Sequence, residues 1–330
     1  MSKLYKNYSD SIKELLLNGQ RRGTFEKSFS NFTGIAGTEK LPSILSESKD
    51  ESLFKSLESL NSVTGKAAKY HEKPGAHPDF SHLKQTNGIE YHYITSMFVD
   101  IKNSTALFKK YNPWTVANIT STIQRAAIHT SWYFDGFVQR YHGDGLFVYF
   151  GGKNTTMQQS ITNAINTASF LSYFIQSDLK NLFSEQGVDE IYTRIGIDTG
   201  KEEDVLWYMA GIKDCSEITT CSLHTSLAYK MQANAMSNGI MVGDNVKDYS
   251  NLETKYFSIK KNPSTGVEER YIFQIPDENY HYTQWQLNWE SYIKINPLFA
   301  IMDNKPASPA PKLNTDFLNE NVKNYRPYFK

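Results

Sequence analysis

The sequence predicts an α+β domain in which helices pack on one mixed β-sheet, and three observations carry this. From Tyr91 onward the segments read as strand, helices, hairpin, helix, strand, helix and short strands, not as a strict βαβ alternation. Gly143-Asp144-Gly145 separates two runs of β-formers, 136–142 and 146–150, and is the clearest hairpin signal in the chain. Hydrophobic residues make up 39% of the 330, with 21 Tyr, 19 Phe and 5 Trp, enough for a substantial core and too many for a disordered chain.

Residues 1–90 are expected to form an N-terminal extension that is partly helical. Ile12, Leu15 and Leu16 share one face of a short helix over 11–17, and 51–62 is weakly amphipathic. Gly65, Pro74, Gly75, Pro78 and Gly88 punctuate 63–88 as a linker or irregular wrap. The run 93–101, Tyr-Ile-Thr-Ser-Met-Phe-Val-Asp-Ile, predicts a buried strand with Asp100 at its carboxyl end. Asn103-Ser104-Thr105 offers cap residues for a short helix over 104–110, which Asn112-Pro113 stops. Further helices are predicted over 114–134 and 156–182. Strands are predicted over 191–198, closed by Thr199-Gly200, and over 207–212. A helix lies within 219–237, and short strands follow at 240–242, 256–260 and 270–275. The domain is thus expected at 91–275. Residues 276–330, with five prolines after Pro276 and little periodicity, are expected to be an extended arm packed by Trp285 and Trp289.

Charge and apolar runs exclude several function classes. Lys+Arg and Asp+Glu both number 35, so there is no basic excess and no nucleic-acid partner is expected. No stretch approaches the ~20 apolar residues of a membrane span. Lys3 and Lys6 are followed by no apolar core, so no secretory signal is expected and the location is expected to be cytoplasmic. Cys215 and Cys221 read as unpaired thiols, buried as small apolar side chains.

One constellation carries chemistry. Asp100 ends a strand and Asp144 sits at a hairpin tip; taken separately, each reads as a solvated carboxylate. If their strands are neighbours, both converge on one sheet edge. Proteins hold Mg²⁺ or Mn²⁺ for phosphoryl chemistry on such carboxylate pairs. Ser104 and Thr105, at a helix start just after Asp100, add N–H groups and hydroxyls suited to phosphate. His142 has no second His or Cys at metal-ligand spacing and reads as a turn residue.

The run Phe98-Val99-Asp100-Ile101-Lys102-Asn103-Ser104-Thr105 is followed by Arg140-Tyr141-His142-Gly143-Asp144, its aspartate 44 residues after the first. Together they resemble a class III nucleotidyl cyclase catalytic domain. Arg194-Ile195-Gly196-Ile197-Asp198-Thr199-Gly200 is similar to that family's next characteristic strand, and 219–231 to its late catalytic helix. The resemblance is strongest to the Pycsar anti-phage pyrimidine nucleotide cyclases, through Leu223-His224-Thr225, Leu227-Ala228 and Lys230-Met231.

The resemblance implies a class III cyclase-type sandwich flanked by N- and C-terminal extensions. It implies two Mn²⁺ or Mg²⁺ ions per active site on Asp100, Asp144 and the Ile101 carbonyl. Asn103, Ser104 and Thr105 would hold the phosphates, and Lys260 or Lys261 the γ-phosphate. Phe98, Arg140 and Thr219 would border the base, although Phe98 reads equally as a core residue. Ser226 and Lys230 stand where the family carries its transition-state Asn and Arg, four apart on one helix face. It further implies a homodimer with composite sites, a nucleoside triphosphate substrate, and a second messenger read by an effector protein in anti-phage defence. Arginine only donates hydrogen bonds, so Arg140 favours the 4-carbonyl of uracil. The expected reaction is therefore UTP to 3′,5′-cyclic UMP, with CTP to cyclic CMP close behind. A purine cyclase and an inactive nucleotide sensor of the same fold remain as alternatives. The turn His142-Gly143-Asp144-Gly145-Leu146 lacks the Gly-Gly-Asp/Glu-Glu-Phe pattern of a diguanylate cyclase.

Overall fold

A computed structural model describes residues 73–185 and 187–299, together with Tyr5 and Ser9. The helices expected at 11–17 and 51–62 lie outside the described residues. In chain order the described strands are β1 (Ile89–Tyr91), β2 (Ile94–Ile101), β3 (Gly136–His142), β4 (Gly145–Phe150), β5 (Thr193–Gly200) and β6 (Leu206–Ile212). They continue with β7 (Cys215–Cys221), β8 (Gly239–Gly243), β9 (Phe257–Ile259), β10 (Tyr271–Ile275) and β11 (Tyr280–Leu287).

The main sheet runs β10-β11-β8-β5-β2-β4-β3, with β9 beside β11, and a smaller sheet runs β1-β6-β7. In the main sheet β5 and β8 pair in parallel, and the other pairings are antiparallel. The expected mixed sheet is therefore present.

Strand β2 lies between β4 and β5, and its residues alternate between the two faces of the sheet. Met97, Val99 and Ile101 enter the main core. There they meet two long helices, Pro113–Tyr133 and Met157–Phe174, through residues such as Ile119, Ile123, Ile161 and Ala168. Asn112 and Thr156 cap these helices, their side chains accepting from Thr115 N and Gln159 N. The second helix passes through a π-turn at Ile175–Leu179 and ends with Lys180–Glu185.

The opposite face of β2, with Ser96, Phe98 and Asp100, is covered by helix Leu223–Asn234, called αC below. Ser96 Oγ lies 2.9 Å from Thr225 Oγ1, Phe98 packs edge-on against Tyr229, and Asp100 accepts from Gln232. Gly196 permits this approach: a Cβ there would meet the Ala228 carbonyl oxygen at 2.1 Å and the Gln232 nitrogen at 2.4 Å.

Two sequence expectations are corrected, the arm after 275 and the burial of the cysteines, and the choice left open for 63–88 is decided. The sheet continues past 275: Tyr280–Leu287 pairs with β8, β9 and β10, and Trp289–Ile295 is a helix, where an extended arm is expected. This strand, Tyr-His-Tyr-Thr-Gln-Trp-Gln-Leu, buries Thr283 and Gln284 and so carries little apolar periodicity. Of the two readings of 63–88, linker or irregular wrap, the described residues 73–88 follow the wrap: Phe80 stacks on Trp207 at 3.9 Å within a buried cluster. Cys215 and Cys221 are free but exposed, standing at the two ends of β7.

Candidate active site

The β3–β4 turn brings the two aspartates to one place. Val99 pairs with Leu146, so the hairpin tip abuts the end of β2. Gly145 makes the fit: a Cβ on it would lie 2.5 Å from the Val99 carbonyl oxygen and 3.5 Å from Asp100 Cα. Gly143 supplies the left-handed turn at φ 60. Asp144, between them, is therefore presented beside Asp100.

The two carboxylates differ in their partners. Asp100 faces Arg194 across the β2–β5 register. Arg194 Nη2 donates to Asp100 Oδ2 at 2.5 Å, and Gln232 Nε2 donates to the same oxygen at 3.1 Å. Arg194 Nη1 is tied to the Ala233 carbonyl at 3.0 Å, which fixes the guanidinium. Asp144 Oδ2 is shielded from solvent and receives no hydrogen bond among the described residues. A carboxylate oxygen without water or donor is costly, and a cation is the partner its chemistry calls for. The residues present thus fit a divalent ion at Asp144, with Asp100 beside it at the end of β2. Among the described residues no group of three or more His, Cys, Asp or Glu could hold a metal, so the fit rests on this pair.

On the same sheet face, Phe98 stacks on Phe147 with centroids 4.1 Å apart, and Tyr229 closes on Phe98 at 5.4 Å. Arg140 is paired with Phe147 across β3 and β4, next to a bulge at Val138–Arg140. Strand β7 crosses above. Arg140 Nη2 forms an ion pair with Glu217 and lies 3.4 Å from Thr219 Oγ1. Phe98, Arg140 and Thr219 are thus gathered at one end of the sheet face. Thr219 stands in a strand, however, and not within the helix expected over 219–237; αC begins only at Leu223. A hydroxyl chain continues from Tyr149 through Thr220 and Thr225 to Ser96, each link between 2.9 and 3.1 Å.

Asn103 adopts φ 58 at the turn into the short helix Ser104–Leu107, directly after β2. Asn103, Ser104 and Thr105 therefore flank the carboxylates. Ser226 and Lys230 do not join them within one chain: both are exposed on αC, on the side away from its own sheet, and Ser226 Oγ donates back to the Ser222 carbonyl. Lys260 is the inward member of its pair but is held by Glu269, whereas Lys261 is exposed. His142 is exposed and packs edge-on against Tyr229.

The start of αC is anchored by a buried cluster. Asp198 is fully buried, accepts from Tyr282 Oη at 2.8 Å and lies 2.9 Å from His224 Nδ1. Burial alone would lower the His224 pKa, but the hydrogen bond and charge of Asp198 outweigh it and raise it. Burial drives the Tyr282 pKa far above its ordinary value. Sequence reasoning did not single out Arg194, Gln232, Glu217 or Asp198 as site or anchor residues. The register Asp100–Arg194 is the one signal that a strand alignment would have offered.

No family model matches the chain. A protein named cytidylate cyclase from Staphylococcus aureus is 38% identical over 272 residues, a match covering 82% of this chain and 63% of that protein. Another named cytidylate cyclase, from Escherichia coli, is 30% identical over 317 residues, covering 90% and 68% respectively. The chain thus spans a little under two thirds of the first relative's length and a little over two thirds of the second's. Among solved structures, the adenylyl cyclase CyaB from P. aeruginosa superposes with a TM-score of 0.50 at 13% identity, covering 61% of this chain and 95% of that one. A bacterial light-regulated adenylyl cyclase gives 0.51 at 14% identity, covering 73% and 63%. At such identities the likeness speaks for the fold alone, and that fold is the class III cyclase sandwich.

Proposed function

The chain belongs to the cytidylate cyclase family, and from that premise we propose that it converts a pyrimidine nucleoside triphosphate, CTP foremost, to the 3′,5′-cyclic monophosphate and pyrophosphate. The observation that carries this is the Gly145 contact, which seats Asp144, with its buried and unbonded Oδ2, against Asp100. Asp100, Asp144 and the Ile101 carbonyl would hold divalent ions, Mn²⁺ or Mg²⁺, two per site. Bound there, such ions acidify a ribose 3′-hydroxyl and neutralise triphosphate charge.

The remaining roles belong to the chain itself. Arg194 and Gln232 orient Asp100 by both donating to Oδ2. Asn103, Ser104 and Thr105 border the phosphates as the chain leaves β2. The 3′-hydroxyl loses its proton to solvent, its oxygen bonds the α-phosphorus, and the bond from that phosphorus to the α–β bridging oxygen breaks, the oxygen leaving on pyrophosphate with the electron pair. No covalent link to the protein forms. Ser226 and Lys230, exposed on αC and turned away from their own carboxylates, would serve the site of a second copy in a homodimer with composite sites, and their exposure supports that reading. Lys230 would then offset charge on the α-phosphate as a point charge. Lys260 reaches a γ-phosphate only by leaving Glu269.

Two observations move the base choice from UTP to CTP: the relatives are named cytidylate cyclases, and Arg140 is already engaged by a carboxylate. A role for the product as an anti-phage signal read by an effector protein rests on the resemblance and is proposed with it. The test is incubation with CTP, UTP, ATP and GTP at equal concentration with Mn²⁺, and identification of products by mass. Cyclic CMP is expected to dominate. Cyclic AMP or GMP as main product would overturn the pyrimidine reading, and nucleotide binding without pyrophosphate release would mark the chain as a sensor.

A further inference from the structure

We infer that Glu217 selects cytosine over uracil by accepting the 4-amino group of the base, a step that rests on the cyclase reading above. Glu217 and Thr219 are two apart on β7 and so project from one face. Arg140 touches both, through an ion pair to Glu217 Oε1 and a 3.4 Å approach to Thr219 Oγ1. The three side chains form one row, and Arg140 is paired across the strands with Phe147, which stacks on Phe98.

The row is held rigidly. Ile218, between Glu217 and Thr219, donates its N–H to the Gly75 carbonyl at 2.9 Å and accepts from Gln139 Nε2 at 2.8 Å. Gly75, at φ +76, lies directly against Glu217, and a Cβ on it would meet Glu217 Cβ at 3.1 Å. Two atoms of the row lie outside its ion pair. Arg140 Nε is shielded from solvent with no acceptor among the described residues. Glu217 meets Arg140 through Oε1 and keeps Oε2 outside that ion pair, on a part-exposed side chain.

The polarity of this row matches one base edge. Cytosine presents in order an amino donor, the N3 acceptor and the O2 acceptor. A carboxylate beside a guanidinium, an acceptor followed by donors, satisfies all three. Uracil presents the O4 acceptor and the N3–H donor, so Glu217 would oppose an acceptor and Arg140 a donor. Leaving desolvated groups opposed in this way is how polar sites reject a close analogue. Arg140 by itself would favour uracil; the carboxylate reverses the preference.

The test compares Glu217→Gln with wild type on CTP and UTP, and on the pyrimidin-2-one ribonucleoside triphosphate, which carries hydrogen in place of the 4-amino group. An amide can turn its N–H₂ toward O4, so the CTP:UTP ratio of kcat/KM is expected to fall at least about tenfold in the variant. Wild type is expected to use the pyrimidinone at least about tenfold less well than CTP, and the variant to lose most of that difference. A wild-type preference for UTP, or a variant ratio within twofold of wild type, overturns the role of Glu217 while leaving the cyclase reading intact. Failure of wild type to cyclise either pyrimidine overturns the cyclase reading itself. If circular dichroism shows that the variant does not fold, wild type alone decides, and equal use of CTP and the pyrimidinone refutes the inference.

Discussion

Replacing Gly145 with alanine tests how the two aspartates are held together. The added Cβ would sit 2.5 Å from the Val99 carbonyl oxygen, whereas ordinary contact begins at 3.4 Å. The obstacle on the β2 side, the Val99 oxygen, is a backbone atom, and Asp100 Cα at 3.5 Å is already in ordinary contact. The hairpin tip must therefore retreat from β2 by nearly an ångström. Overpacking of this kind costs about 1–3 kcal/mol. Displacing a catalytic group by about 1 Å costs on the order of 10²-fold in rate. Gly143→Ala is the control: a Cβ there meets nothing within 4 Å, and only the positive φ is strained, at roughly 1–2 kcal/mol. Thermal unfolding and steady-state pyrophosphate release, followed with Mn²⁺ and CTP, separate the two. Gly145→Ala should lower kcat about a hundredfold with a Tm loss of only a few degrees, and Gly143→Ala should change chiefly Tm. If Gly145→Ala turned over within threefold of wild type, the apposition of Asp144 and Asp100 would not be what positions the chemistry.

Asp144→Asn should abolish product and also remove the Tm rise on adding Mn²⁺. Without metal its Tm should not fall, because the substitution relieves a buried carboxylate oxygen that lacks a donor; a metal-free Tm several degrees below wild type would contradict this. Mixing Asp144→Ala with Lys230→Ala should restore part of the activity missing from each, since a heterodimer contains one intact composite site. No recovery, with subunit exchange shown by mass spectrometry of the mixed dimer, would place the sites within single chains. Folding should also depend on pH through His224. Its raised folded pKa means that stability is fully present below its unfolded value near 6.5 and is lost as pH rises through the folded value. Denaturant midpoints measured from pH 6 upward should fall, and Asp198→Asn should flatten that slope; an unchanged slope would remove the pair from the account.

Local chemistry was readable in the sequence, and long-range register was not. Asp100 and Asp144 declare themselves because a strand end and a Gly-Asp-Gly turn are signals within a few residues. The helices over 113–133 and 157–174 are legible for the same reason, with Asn112 and Thr156 at their caps. Glu217 was passed over because its meaning depends on Arg140, on another strand of another sheet; Arg140 and Thr219 are themselves 79 residues apart. Arg194 opens the strand signal Arg194–Gly200, yet its partnership with Asp100 appears only when β5 is laid against β2. Strand β11 escaped notice because its hold on the sheet comes from backbone pairing and buried Thr283 and Gln284 rather than an apolar stripe.

The place of β11 bears on how the chain folds as it is made. Strand β8 is covered on one side by β5 and on the other by Gln284–Gln286 of β11, some forty residues later in synthesis. Until that stretch leaves the ribosome, the edge of Gly239–Gly243 stands unpaired, and Asp198 lacks the Tyr282 hydroxyl that donates to it. The two carboxylates and their hairpin are translated first, but the helix that covers them waits on a strand near the far end for its anchor. Nascent chains halted before residue 280 should therefore remain protease-sensitive in αC, and chains halted after residue 295 had cleared the exit tunnel should be protected there.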